Sequence, residues 1–349
     1  MLAAESKLVT ASATDLLNSE GAFSWKQIVE PVEPFLEAVH ARLLKQVDEF
    51  DAAVGPYAEY TLNGNGKNLR PALVALSANS LNHIGDAHIT VAVIIEMVHL
   101  ATLVHDDVMD EGEIRRGRPT LAANWGNEIA VLFGDCLFAH ALKLAASFPT
   151  PEICRAVAMA TNTVCSGEIL QTQHRRNFQL SRSEYFRVIE MKTAELFALS
   201  CELSACLCGA SAAQRTALRQ FGLAFGTAYQ VYDDCVDLFG SESAAGKSLG
   251  TDLAKGKLTL PVLLLWERAN EVDRARLESL IQNWQEGALP QVSALLSKYD
   301  TLAPSVESIN DYLKKARQIL TSLPESRGRA GLLGSTDYLA RQTEALSGL

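Results

Sequence analysis

Residues 99–117 read HLATLVHDDVMDEGEIRRG, an apolar run that ends in three aspartates and, five residues on, two arginines. Positions i, i+3 and i+4 of a helix share a face. Asp106 and Asp110 therefore point the same way, as do Asp107 and Asp110. Like charges this close repel, and the turn disfavours folding unless a cation sits among them. The chain repeats the device: Asp233-Asp234-Cys235-Val236-Asp237 closes a second apolar, helix-like run. A solvated acidic helix end would explain one such turn. Two of them, each after sequence as apolar as Met97 to Val104, indicate a site for hard cations. Carboxylate oxygens suit Mg2+, which takes few protein ligands and completes its shell with water and phosphate oxygens. The metal candidates are Asp106, Asp107, Asp110, Asp233, Asp234 and Asp237.

Cations cluster near these turns in sequence. Arg115 and Arg116 follow the first. Lys67 and Arg70 come after Gly64-Asn65-Gly66. Lys192-Thr193 interrupts Ile189 to Leu199, which otherwise reads as buried helix, and Lys247 and Lys257 flank the loop beyond the second turn. Arginine suits forked phosphate contacts and lysine point-charge contacts. A surface ion pair explains any one of them; together they carry the charge needed to hold two diphosphates between opposing walls.

Outside these motifs the chain is patterned almost entirely as helix. Apolar residues make up 48% and aromatics only 7% of its 349 residues, and Leu and Ala abound, which favours helices. Periodicity and breakers place helices near 28–53, 71–81, 86–109, 119–123, 127–147, 151–172, 182–207, 212–239, 260–269, 272–285, 288–299, 304–321 and 327–346. Gly240 to Gly256 reads as a loop, and strand signals are nearly absent. No linker or charge block divides the chain, so residues 28–349 read as one all-α domain, with residues 1–27 a segment of unknown role. The net charge of −10 argues against nucleic-acid binding. Seven cysteines without a CxxC pair read as small buried thiols of a reducing, cytoplasmic protein. No signal peptide is legible, and the run Val91 to Val104 reads as too short for an integral membrane segment.

From about residue 60 to 265 these motifs, in order and spacing, resemble the all-trans isoprenyl diphosphate synthases of the polyprenyl synthetase family, most of all those that make long, octaprenyl-type chains. The residues that carry the likeness are His99 to Gly117, Gly167-Glu168-Ile169-Leu170-Gln171, Lys192-Thr193-Ala194, Tyr229-Gln230 before Asp233-Asp234, and Lys247, Gly250, Asp252 and Lys257. The resemblance implies a helical bundle around a deep central cavity, the isoprenoid synthase fold, and a homodimer. It implies an allylic diphosphate, such as farnesyl diphosphate, held through three Mg2+ by the aspartates, with Arg115, Lys192, Gln230 and Lys247 on the same diphosphate and Thr193 beside it. Lys67, Arg70, His99 and Arg116 would bind isopentenyl diphosphate. Asn65 and Asn68 depart from the family's usual Gly and Arg, and Tyr229 from its usual Phe. No protein nucleophile is needed, and His105 reads as a packing or supporting residue.

Product length should depend on residues below the first turn. At about 1.5 Å of rise per residue, Ala101 and Thr102 lie roughly 6–8 Å beneath Asp106. In short-chain relatives an aromatic here often forms a floor, whereas both residues are small in this chain. Val98, Ile94, Ile95 and Val91 continue downward, with Phe133 and Phe138 facing as possible floors. The expectation is an open tunnel and a product longer than C20, about C30 to C50. A short-chain farnesyl or geranylgeranyl diphosphate synthase is the alternative. A terpene cyclase would replace the second aspartate turn, and a non-catalytic partner subunit would lose both. The apolar run Ile129 to Ala146 is the candidate subunit interface.

Overall fold

Seventeen α-helices account for nearly all the regular structure of the described residues, 24–64, 66–240, 249–285 and 287–347 of this computed structural model. They are α1 (Trp25–Val29), α2 (Glu33–Lys45), α3 (Gly55–Leu62), α4 (Leu69–Ser80), α5 (Asp86–Met109), α6 (Leu121–Trp125), α7 (Asn127–Ala146), α8 (Pro151–Gln173) and α9 (Arg182–Ile189). After them come α10 (Glu195–Leu207), α11 (Ala212–Phe239), α12 (Thr251–Ala254), α13 (Leu260–Arg268), α14 (Glu271–Gln282), α15 (Ala288–Lys298), α16 (Leu302–Leu320) and α17 (Arg327–Ser347).

Helix α5 is the spine. Val91, Ile94, Ile95, Val98 and Ala101 are fully buried against α4, α7 and α10. Each large apolar side chain withdrawn from water contributes about 1.5–3 kcal/mol. Helix α11 packs along α10 and α16 and carries the second aspartate turn at its end.

Five departures from the sequence-based expectation stand out. The single helix expected over 28–53 is split at Pro31 and Pro34 into α1, a short 3-10 turn and α2, because proline cannot donate to the helix ladder. The proposed boundary at residue 27 falls inside α1, whose Trp25 indole donates to the Lys67 carbonyl (3.2 Å) and packs on Tyr338. A two-stranded hairpin, β1 (Ile114–Arg115) with β2 (Arg118–Pro119), interrupts the run expected to be strand-free. Its turn residues Arg116 and Gly117 both have positive φ, 52° and 73°, as a tight primed turn requires. The helix expected over 182–207 is broken at Glu190–Ala194 by a π turn, and the loop over 240–256 contains α12.

Burial corrects two further expectations. Cys136 and Cys165 are exposed, and all seven cysteines are free thiols. Helices α5 and α7 are each long and apolar enough to cross a bilayer by length and composition alone, although α5 is enclosed by other helices. Helix α7 is covered on one side only: Val131 is 42% and Leu132 61% exposed, and Met159 and Ile169 of α8 are exposed as well.

Candidate active site

Each aspartate of the first turn meets its own cation. Asp106 lies 3.5 Å from Lys192 Nζ. Asp107 accepts from Arg115 Nε at 2.8 and 3.0 Å and pairs with its terminal nitrogen at 2.8 Å. Burial pushes the Asp107 carboxyl above the usual range, and Arg115 opposes that shift. Asp110 accepts from Arg175 on one oxygen (2.8 Å) and from Lys257 on the other (2.5 Å). The repulsion expected between these carboxylates is thus offset by side-chain cations.

The second turn divides its labour. Asp234 is buried, with one oxygen accepting from the Tyr185 hydroxyl (2.5 Å) and the other from Gln230 Nε2 (2.7 Å). Burial and the Asp252 charge hold its pKa well above the usual carboxylate range. Asp237 is fully buried. One of its oxygens accepts from the Thr251 hydroxyl and amide (2.9 and 3.3 Å) and the other from the Asp252 amide (3.2 Å), so it caps α12. Asp234 and Asp237, both expected as metal ligands, thus spend their oxygens on neutral partners that tie them to Tyr185, Gln230 and α12, whereas Asp107 and Asp110 are held by side-chain cations whose charge a metal ion can replace. Asp233 is the half-buried member of the turn.

Two segments bridge the turns. In the π turn, Lys192 reaches Asp106 on α5 while its neighbour Thr193 donates to Gln230 Oε1 (2.8 Å) on α11. Lys192 also pairs with Glu168 and donates to Gln171 (2.9 Å), both on α8. Burial opposes the Lys192 charge, but Asp106 and Glu168 more than offset it, and its pKa is raised. Glycine allows this crowding. A Cβ on Gly167 would meet Lys192 N at 2.7 Å, and one on Gly226 would meet Ala194 Cα at 2.8 Å. The second bridge is the stretch 250–257: Asp237 holds its start and Lys257 reaches Asp110. Lys247 lies outside the described residues.

A second basic group forms where α4, α5 and the hairpin meet. Gly66, Asn68, Glu96, His99 and Arg116 line a small cavity closed by Leu36, Val39 and Leu43 of α2. Arg70 lies beside it, its guanidinium 4.6 Å from the Phe197 ring centroid. Burial, then Arg70 and Arg116, holds the His99 pKa well below its usual value. Burial raises the Glu96 carboxyl and lowers the Arg70 guanidinium, while each charge supports the other. Lys67 is exposed at the rim.

Beneath the first turn, Ala101 and Val98 are buried, and the half-buried Thr102 donates to the His99 carbonyl (2.7 Å). His105 faces α7 instead: its Nε2 lies 3.0 Å from the Val131 carbonyl oxygen, and its ring is 5.7 Å from half-buried Phe138. Phe133 packs on Phe50 and Tyr57.

Five partners were not among the expected site residues: Glu96, Glu168, Gln171, Arg175 and Tyr185. Glu168 and Gln171 lie within a motif that carries the family likeness. Glu96 stands out as a charge within an apolar helix. Arg175 and Tyr185 left no signal in spacing. Among the described residues, no three His, Cys, Asp or Glu side chains converge to enclose a metal. The oxygen donors suit Mg2+ taken on one or two carboxylates, the rest of its shell coming from phosphate and water.

A model of the polyprenyl synthetase family matches residues 52–296. Octaprenyl diphosphate synthase of Haemophilus influenzae is 34% identical over 325 residues, 93% of this chain and 98% of that one. Polyprenyl synthase from Caulobacter crescentus, solved with calcium and isoprenyl diphosphate, superposes with a TM-score of 0.86 at 31% identity, covering 92% of this chain and 99% of that one. Decaprenyl diphosphate synthase from Rhodobacter capsulatus gives 0.85 at 32% with the same coverage. The chain belongs to the polyprenyl synthetase family and is a prenyltransferase with the isoprenoid synthase fold.

Proposed function

We propose that the enzyme is a long-chain all-trans polyprenyl diphosphate synthase. It joins isopentenyl diphosphate head-to-tail to an allylic diphosphate such as farnesyl diphosphate, and its product exceeds C20, in the range of about C30 to C50. The observation that carries the length is Ala101, a small residue fully buried one turn below the first aspartates, with Val98, Ile95 and Ile94 beneath it. No Phe, Tyr or Trp occurs among positions 91–102 of α5. The octaprenyl and decaprenyl activities named for two of the similar proteins agree.

Chemistry follows from the charges. Lys192, Arg115 and Lys257 lie against the first turn, and Lys247 belongs to the same expected set; they take the allylic diphosphate, with Thr193 and Gln230 beside it. Asp106, Asp107, Asp110 and Asp233 would hold the Mg2+ ions, three per site, which when bound neutralise the departing diphosphate. Lys67, Arg70, His99 and Arg116 hold isopentenyl diphosphate, with its double bond toward the allylic carbon. Departure of the diphosphate leaves an allylic cation, the double bond attacks it, and the released diphosphate takes the proton lost from the adduct. Preorganised cations act where charge develops and need no rearrangement during the step. The active form is a homodimer joined through the uncovered face of α7.

Incubation with Mg2+, farnesyl diphosphate and labelled isopentenyl diphosphate tests the reading. Dephosphorylated products should band at C30 or above. A stop at C20 would make this a short-chain synthase with a floor elsewhere, Phe133 and Phe138 being the candidates. No incorporation with any allylic starter would indicate a non-catalytic partner subunit. Ala101→Phe should shorten the product without abolishing turnover; an unchanged distribution would mean that the tail does not pass this residue.

A further inference from the structure

The turn that ends α8 brings a cation, Arg175, to the first aspartate turn. Arg176, in a left-handed conformation (φ 59°), donates its amide to the Gly256 carbonyl (2.7 Å). Its side chain covers Gly256 so closely that a Cβ there would meet Arg176 Cγ at 2.7 Å. The end of α8 is therefore seated on the turn that precedes Lys257, and this docking makes Arg175 and Lys257 converge on Asp110.

Two facts follow about Asp110 and Arg175. Both Asp110 oxygens are taken, Oδ1 by Arg175 (2.8 Å) and Oδ2 by Lys257 (2.5 Å), whereas Asp106 has Lys192 at 3.5 Å. A metal ion at Asp110 would crowd two cations already on the carboxylate, and the like-charge repulsion favours release of one of them when the metal binds. Arg175 is equipped to leave, because its Nε is buried and makes no hydrogen bond. A buried donor without an acceptor costs about 1–3 kcal/mol, and a phosphate oxygen arriving beside it would remove that cost. A guanidinium suits that task through its forked donors.

We propose that Arg175 is a further residue of the allylic diphosphate site, resting on the prenyl-transfer reading above. In the free enzyme it occupies Asp110. When metal and diphosphate arrive together, it passes from the carboxylate to the diphosphate and leaves Asp110 to the metal. The exchange keeps the site near charge balance at both stages, since one cation replaces another on the carboxylate.

Arg175→Gln and Arg175→Lys test this. Thermal melts establish that both variants are folded, and Mn2+ is then titrated calorimetrically into each protein without substrate. Arg175→Gln should bind Mn2+ about fivefold to tenfold more tightly than wild type, because a competing cation is gone. Its KM for farnesyl diphosphate should rise about tenfold, with the KM for isopentenyl diphosphate unchanged. Arg175→Lys should return Mn2+ affinity toward wild type but recover only part of the farnesyl diphosphate KM, since lysine lacks the fork. Unchanged or weaker Mn2+ binding, or a KM that rises equally for both substrates, overturns the proposal and leaves Arg175 a tether between α8 and the Lys257 turn. The titration needs no turnover, so a failure of the prenyl-transfer reading would show separately, in the wild-type assay.

Discussion

Aspartates with the same spacing do different work here, and their neighbours decide which. Asp106 meets only Lys192 among its described ion-pair partners, at 3.5 Å, and Lys192 keeps Glu168 if Asp106 is removed. Asp106→Ala should therefore leave the melting temperature within a few degrees of wild type while lowering kcat by about three orders of magnitude or more; near-normal turnover would remove Asp106 from the metal set. Asp237→Ala should behave differently. It strips three hydrogen bonds from the start of α12, so chemical denaturation should show a loss of about 1–3 kcal/mol. Spacing made the six aspartates legible as a group, because it fixes which side chains share a face. It could not separate Asp233 from Asp234 and Asp237, since the groups that engage the latter two, Tyr185 and the 251–252 amides, come from distant sequence.

The same contrast holds for elements. Helices α5 and α11 were readable to the residue because their apolar faces repeat without interruption and they start and end at recognisable breakers. The π turn Glu190–Ala194 was not, because nothing in its composition differs from a helix and its cause lies in two other helices. Gly167 of α8 and Gly226 of α11 both approach it too closely for a Cβ, and this crowding accompanies the placement of Lys192 at one aspartate turn and Thr193 at the other. Gly167→Ala should cost about 1–3 kcal/mol through overpacking. It should also raise the KM for the allylic substrate with little change for isopentenyl diphosphate, whose site is built on α4 and the hairpin. Equal effects on both substrates would mean that the crowding serves stability alone. The hairpin escaped notice for a related reason: Arg116-Gly117 lacks the usual Asn-Gly signal yet adopts the same positive φ values.

For the whole molecule, the uncovered face of α7 is the feature a single copy does not explain. Leu132 (61% exposed) and Val131 on α7, and Met159 and Ile169 on α8, are large apolar side chains left exposed, with the exposed Cys136 and Cys165 nearby in sequence. If this face joins two copies as proposed, Leu132→Glu should yield monomer in sedimentation velocity; an unchanged species would place the interface elsewhere. Helices α1 and α17 meet beside Lys67. The indole of Trp25 holds the Lys67 carbonyl and packs on Tyr338 of α17, so the rim of the proposed isopentenyl diphosphate site carries its own fluorophore. Occupancy of that site should shift the indole emission, and the shift should vanish in Trp25→Phe, which gives a stopped-flow signal for the second substrate without any label.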